Sequence, residues 1–194
     1  MKCPDCTASI PEVPRADRVH YSWEYFENAA KYFRGLDRIH CTGGEPTLHP
    51  DFMDLAAKFR DLFKCRLLTI ESNCFGFKRF PDVFAHFDTI YASHYTAKSF
   101  DGCPDNSEAI AFLKERYPGK VLVGEINFVP KASRGTKTCH RGYSETVAYA
   151  RGLVFPCCVG PGLSYPHGVP LTESWLQDVL AQHIPCEHCW FAEH

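Results

Sequence analysis

The order of apolar and polar segments predicts an α/β fold built from βα units on a parallel sheet. Three observations carry this. Strand-like runs alternate with amphipathic helical runs after residue 35. A Gly-Gly turn closes the first of those strands, at Cys41-Thr42-Gly43-Gly44. Short alternating runs and paired cysteines replace the βα rhythm beyond Pro130.

Taken in order, YSWEYFENAAKYFRGL places Trp23, Phe26, Ala30 and Phe33 at helical spacing, with Ser22 as N-cap and Gly35 as the stop. DRIHC is a short strand running into the glycine turn. DFMDLAAKFRDLFK sets Phe52, Leu55, Ala56, Phe59, Leu62 and Phe63 on one helical face. RLLTIESN is the next strand, FKRFPDVFAHF a short helical or irregular return, and FDTIYASHYT a further strand. SEAIAFLKER is a helix capped from Asp105 to Ser107, and VLVGEINFVP is strand-like. TVAYARGLVFPCC alternates about Arg151-Gly152 and predicts a hairpin. VGPGLSYPHGVP reads as a loop, and LTESWLQDVLAQ as a helix capped by Thr172. The domains expected are 1–130, a βα core, and 131–194, a cysteine-rich extension containing the hairpin.

Composition excludes several functions. Apolar residues make up 45% and charged residues 23% of the 194 residues, enough to bury a core. With 21 Lys+Arg against 23 Asp+Glu, the formal net charge of -2 argues against nucleic-acid and polybasic membrane binding. No apolar run approaches a membrane span, and MKCPDC lacks the core of a signal peptide, so a cytoplasmic location is expected.

Eleven cysteines are present, an odd number that includes two C-x-x-C pairs. That pattern favours metal or cluster ligation over disulfides. Cys3 and Cys6 stand one ligand bite apart, which suits zinc, an iron–sulfur cluster or a dithiol. Cys139, Cys157, Cys158, Cys186 and Cys189 frame the hairpin and the last helix and can converge four thiolates on zinc or on an iron–sulfur cluster. Neighbouring strand residues face opposite sides, so Cys157 and Cys158 are not equivalent ligands, and the alternation leaves open which of the two binds. Cys41, Cys65, Cys74 and Cys103 read as small buried apolar residues. His49, His94, His140 and His188 have no partner at ligand spacing that competes with the cysteines. Tyr91 and Tyr95 are candidates to face a substrate.

The turn Cys41-Thr42-Gly43-Gly44-Glu45-Pro46-Thr47-Leu48-His49-Pro50 brings backbone within reach of a ligand and adds a carboxylate, a combination that suits an ammonium. An ordinary glycine-rich βα turn accounts for the same residues. A C-x-x-C near the start followed about 35 residues later by GGEPTLHP resembles the radical S-adenosylmethionine (SAM) superfamily. The resemblance implies a partial (βα) TIM-like barrel and a [4Fe-4S] cluster held in part by Cys3 and Cys6. It implies SAM bound through Gly43, Gly44, Glu45 and Pro46, with Ser72, Asn73 and Ser93 near its ribose and carboxylate.

The cysteine-rich extension resembles the SPASM or twitch type, which implies a second, auxiliary [4Fe-4S] cluster on Cys139, Cys157, Cys186 and Cys189. The activity implied is reductive cleavage of SAM to a 5′-deoxyadenosyl radical that abstracts hydrogen from a substrate, an oxidoreductase-type chemistry. A peptide or protein substrate is expected, together with a flavodoxin or ferredoxin as reductant. One departure stands out: the first cysteine of the family's C-x-x-x-C-x-x-C loop would fall before Met1, and the first strand with it. The expectation is a truncated chain, which puts the activity of the chain as written in question. The rival readings are a zinc-stabilised binding domain and an inactive accessory protein of the same fold.

Overall fold

The computed structural model describes residues 19–96, 99–100, 102–125, 147–155 and 168–181. These fall in two compact units, one containing 19–125 and the other 147–155 and 168–181. The first unit is a four-stranded, wholly parallel sheet with helices, an α/β arrangement as the sequence predicts.

Helix α1 spans Trp23–Phe33, and Ser22 caps it by accepting from the Tyr25 N–H. Gly35, at φ +83°, ends it and donates its N–H to the Phe63 carbonyl. Strand β1 (Arg38–Cys41) leads through the glycine turn into a short 3-10 turn at Pro46–Leu48, and helix α2 follows at Phe52–Phe63. Then come β2 (Leu67–Ser72), 3-10 turns at Phe75–Lys78 and Val83–His86, β3 (Thr89–His94), α3 (Ser107–Arg116) and β4 (Val121–Glu125). The strands pair in sequential order β1-β2-β3-β4. Parallel neighbours need a crossover, and each crossover carries helical turns that pack back on the sheet.

The two sheet faces differ in chemistry. Leu68, Ile70, Ile90 and Ala92 are buried to 1% exposure or less, and α2 and α3 pack against β2, β3 and β4. Phe26, Phe59 and Phe63 join α1 to α2 through edge-on rings, while Phe52 meets Phe80 and Phe87 beneath α2. Burying that many aromatic rings supplies the apolar area that holds the helices on the sheet. His40, Thr69, Glu71, Tyr91, Ser93 and Leu122 alternate with those residues and therefore lie on the opposite face.

In the second unit, β5 (Ala148–Ala150) and β6 (Leu153–Phe155) form the expected hairpin. Arg151 and Gly152 both take positive φ, as its two-residue turn requires. Val169–Pro170 adds a third strand, β7, within a stretch the sequence reads as loop; the proline N lacks a proton and so is tolerated only where no ladder bond is needed. Helix α4 covers Trp175–Leu180. Ser174 occupies its N-cap position instead of Thr172, whose carbonyl accepts from the Trp175 N–H. Similarly, Asp105 accepts from the Ser107 N–H as expected, but the residue at the cap of α3 is Asn106.

Candidate functional site

The carboxyl ends of β1 and β2 meet at Glu45. Its backbone is extended, and its side chain caps the 3-10 turn that Pro46 opens. Oε1 accepts from the Thr47 N–H at 3.2 Å, from Thr47 Oγ1 at 2.7 Å and from Ser72 Oγ at 2.8 Å. Oε2 accepts from the Asn73 N–H at 2.8 Å. One carboxylate thus ties the glycine turn to the next strand end. Oε1 is crowded with donors, while Oε2 has a single partner among the described residues and keeps acceptor capacity.

Gly43 sits at φ +146°, where side-chain-bearing residues are strained, and a Cβ built on it would meet nothing within 4 Å. The glycine here serves the turn and leaves open space beside it. At Gly76 the reason differs: a Cβ would come within 2.5 Å of Thr47 Cβ, so the Phe75–Lys78 turn can approach Thr47 only as glycine.

Ser72 is buried and its hydroxyl is fully used, donating to Glu45 and accepting from the Cys74 N–H at 2.9 Å. It acts on this site through Glu45. Asn73 contributes its backbone N–H to Glu45 and its side-chain Oδ1 to the Phe75 N–H. Ser93 lies one strand further, on the polar face, with Oγ 3.4 Å from Glu71 Oε1. The structure therefore gathers Gly43, Gly44, Glu45, Pro46, Ser72 and Asn73 at one edge, with Ser93 on the adjoining strand.

Sequence reasoning overlooked the group that joins these two parts. Asn106 is 1% exposed, and its Nδ2 donates to the carbonyls of Asn73 and Ser93, both at 2.7 Å. Its Oδ1 accepts from the Tyr95 N–H at 2.8 Å. A buried amide with these bonds fixes the ends of β2 and β3 together. In sequence it reads as an ordinary helix cap; the available hint was the pair of polar strand ends that needed a partner.

His49 has a comparable role. Its Nδ1 accepts from the Asp51 N–H, so Nε2 carries the proton and donates to the Tyr21 carbonyl at 2.9 Å. The Leu-His-Pro that follows the turn thereby anchors it to the start of α1.

Sequence reasoning also passed over His40 and Glu71. The signal was present: a parallel sheet covered on both faces has continuous apolar strands, whereas RIHC, TIES and IYASH alternate. Glu71 is half exposed, and the nearby His40, followed by Ser93 and Thr42, holds its carboxyl below the usual range against the opposing effect of burial. Tyr91 shares this face, edge-on to His40. Tyr95, also expected to face a substrate, is buried past the end of β3, where its N–H is committed to Asn106.

Cys65, Cys74 and Cys103 are buried, and they and Cys41 are free thiols. Cys41 as a whole residue is only partly covered, yet its thiol is pushed up to about 12 by burial and by neighbouring Cys65. Burial, followed by the charge of Glu45, pushes Cys74 up to about 12 as well. Neither is a nucleophile near neutral pH. The ligand candidates Cys3, Cys6, Cys139, Cys157, Cys158, Cys186 and Cys189 lie outside the described residues, as do His140 and His188. Among the described residues no group of three or more His, Cys, Asp or Glu is placed to hold a metal ion, and no helix is long and apolar enough to cross a membrane.

No family model matches the chain. A stretch of 77 residues is 34% identical to molybdenum cofactor biosynthesis protein 1 of Bos taurus. That similarity covers 38% of this chain and 12% of the bovine protein, so the chain spans only a small part of the relative it matches. It is a weak, partial similarity, compatible with the radical SAM resemblance of the glycine turn and silent on the cysteine-rich extension.

Proposed function

We propose that the chain is part of a radical SAM iron–sulfur enzyme. The observation that carries this reading is the Glu45 carboxylate. It stands at the carboxyl ends of two parallel strands with acceptor capacity left on Oε2 and with open space beside Gly43. An α-ammonium fits that arrangement: a carboxylate oxygen takes its charge, and glycine backbone can approach it without side-chain obstruction. The partial similarity to a cofactor-biosynthesis protein supports the same reading. The sequential parallel strand order is the order of a partial (βα) barrel, in which ligands sit at the carboxyl ends of the strands.

Within this reading, SAM and a reduced [4Fe-4S] cluster supply the carbon-centred radical chemistry. The chain's own residues bind and orient. Glu45 accepts from the methionine ammonium, the Gly43-Gly44 turn admits it, and Ser72 holds Glu45 in place. Asn106 keeps Asn73 and Ser93 at fixed positions beside it. Cys3 and Cys6 supply two ligands of the first cluster, and Cys139, Cys157, Cys186 and Cys189 those of an auxiliary cluster. The substrate would be a peptide or protein and the electron donor a flavodoxin or ferredoxin, in the cytoplasm.

Two experiments test this. Anaerobic reconstitution with iron and sulfide, carried out on the chain as it stands and on one extended upstream of Met1, should give stoichiometric iron, acid-labile sulfide and thiolate-to-iron absorption. Zinc alone in both would overturn the reading in favour of a zinc-stabilised binding domain. With dithionite and SAM, the cluster-loaded extended chain should release 5′-deoxyadenosine; a loaded chain that releases none is the inactive accessory protein instead.

A further inference from the structure

Among the described residues, Lys64, Cys74 and Arg151 take left-handed backbone although they carry side chains. Lys64 closes α2 and Arg151 turns the hairpin, both at exposed positions. Cys74 does so at φ +63° while fully buried, directly behind the Asn73 N–H that donates to Glu45. A side chain makes that conformation costly, and it persists only where the surroundings leave the chain no alternative.

The surroundings grip the peptide group between Asn73 and Cys74 at both ends. Its carbonyl accepts from Asn106 Nδ2 at 2.7 Å, and its N–H donates to Ser72 Oγ at 2.9 Å. Rotating this peptide would let Cys74 leave the left-handed region. The same rotation would break both bonds and swing Asn73, whose own N–H lies 2.8 Å from Glu45 Oε2.

Asn106 has nothing in reserve for another duty. The two Nδ2 protons go to the carbonyls of Asn73 and Ser93, and Oδ1 takes the Tyr95 N–H. Its backbone N–H donates to the Tyr95 carbonyl at 3.3 Å. Although Asn106 stands at the N-cap of α3, its side chain makes no cap bond, and Asp105 accepts from the Ser107 N–H in its place. A cap residue thus spends its whole amide on strand ends.

We infer that Asn106 is a positioning residue for the Glu45 edge: it latches the strained turn at Cys74 and so keeps the Asn73 N–H on Glu45 Oε2. That bond fixes the plane of the carboxylate, and with it the lone pairs left for the donors of a ligand. The consequence for SAM rests on the radical SAM reading; the latch itself does not.

The test reads the Asn73 amide resonance in the full chain labelled with 15N-asparagine, assigned with Asn73→Asp. An N–H bonded to a carboxylate resonates downfield, and Glu45→Gln should move it upfield, which calibrates the reporter. Asn106→Asp keeps the size and the acceptor for Tyr95 but offers at most one proton in place of two. It should move the resonance the same way with Glu45 intact. Glycine adopts left-handed backbone freely and alanine does not, so the displacement should persist in a Cys74→Ala background and fall by at least about half in Cys74→Gly. In the cluster-loaded, upstream-extended chain, Asn106→Asp should raise KM for SAM at least about threefold with kcat little changed, the split expected when binding alone is weakened. A resonance unmoved by Asn106→Asp, an equal displacement in both Cys74 backgrounds, or an unchanged KM beside a moved resonance would overturn the inference. Should Asn106→Asp fail to fold, amide exchange in the Cys74 variants decides. The Asn73 N–H should exchange at least about fivefold more slowly in Cys74→Gly than in Cys74→Ala, and equal rates would overturn the latch. The resonance and exchange measurements need neither iron nor SAM, so failure of the radical SAM reading would appear separately, in iron content and SAM cleavage.

Discussion

Replacing Glu45 by alanine removes the acceptor for four donors at once: the Thr47 and Asn73 N–H groups and the Thr47 and Ser72 hydroxyls. A hydrogen bond to a charged group contributes about 1.5–3 kcal/mol, but the four do not count equally. The hydroxyls can rotate toward water or a carbonyl, and the Thr47 N–H bond is long at 3.2 Å. The Asn73 N–H, at 2.8 Å, loses most. Counting it in full and the others in part gives about 3 kcal/mol for Glu45→Ala. Glu45→Gln keeps one oxygen for Thr47 and Ser72 but turns an NH2 toward the Asn73 N–H, for about 1–2 kcal/mol. Urea unfolding of the full chain, read by far-UV circular dichroism with linear extrapolation, measures both. Alanine should lower the midpoint more than glutamine, and Ser72→Ala should add less than its separate cost in the Glu45→Ala background because the two share a bond. A Glu45→Ala protein within about 0.5 kcal/mol of the parent, or the reverse order of the two variants, would refute the hub described for this carboxylate.

Gly76→Ala places a methyl within 2.5 Å of Thr47 and should cost about 1–3 kcal/mol in the same unfolding assay, as overpacked sites do. For His49, imidazole 15N spectra at pH 8 should show the Nε2–H tautomer, and His49→Ala should lower the thermal midpoint by removing both the Tyr21 and Asp51 bonds. Asp88 gives a pH dependence. Burial raises its pKa, but the Arg60 guanidinium and the Leu68 N–H outweigh burial and leave it below the ordinary value. A depressed folded-state pKa means that the stabilisation is complete above the unfolded value and is lost as pH falls through the folded one. Stability should thus decline below about pH 4, and Asp88→Asn should flatten that decline while lowering stability at neutral pH.

The sequence displays the first unit well because its helices and strands obey local rules. Ser22 and Gly35 bracket α1, the apolar stripe from Phe52 to Phe63 has helical period, and Arg151-Gly152 is turn chemistry that needs no distant partner. What it hides is held by long-range bonds. Asn106 acts on residues 33 and 13 positions away, and His49 on Tyr21, 28 positions away. No local pattern marks such residues. Ser72 and Glu45 were both legible as polar residues at strand ends, but not that one spends its hydroxyl on the other. The 3-10 turn after Glu45 was likewise invisible, since Pro-Thr-Leu has no helical period and the turn forms around a carboxylate cap.

The alternation that separates the two faces of the sheet also separates stability from chemistry. On one face Leu68, Ile70 and Ile90 lie beneath helices, where any polar replacement would meet an apolar interior. One residue along each strand, His40, Glu71, Tyr91 and Ser93 point the other way and make mostly long, loose contacts. The His40 and Glu71 side chains are partly exposed, so substitutions at those two positions trade few buried contacts. Glu45 and Asn106 belong to neither face. They lie at the strand ends and bind backbone groups at 2.7–2.8 Å, so they join a rigid layer to an adaptable one. A ligand gripped by Glu45 would be held by residues whose own geometry is fixed.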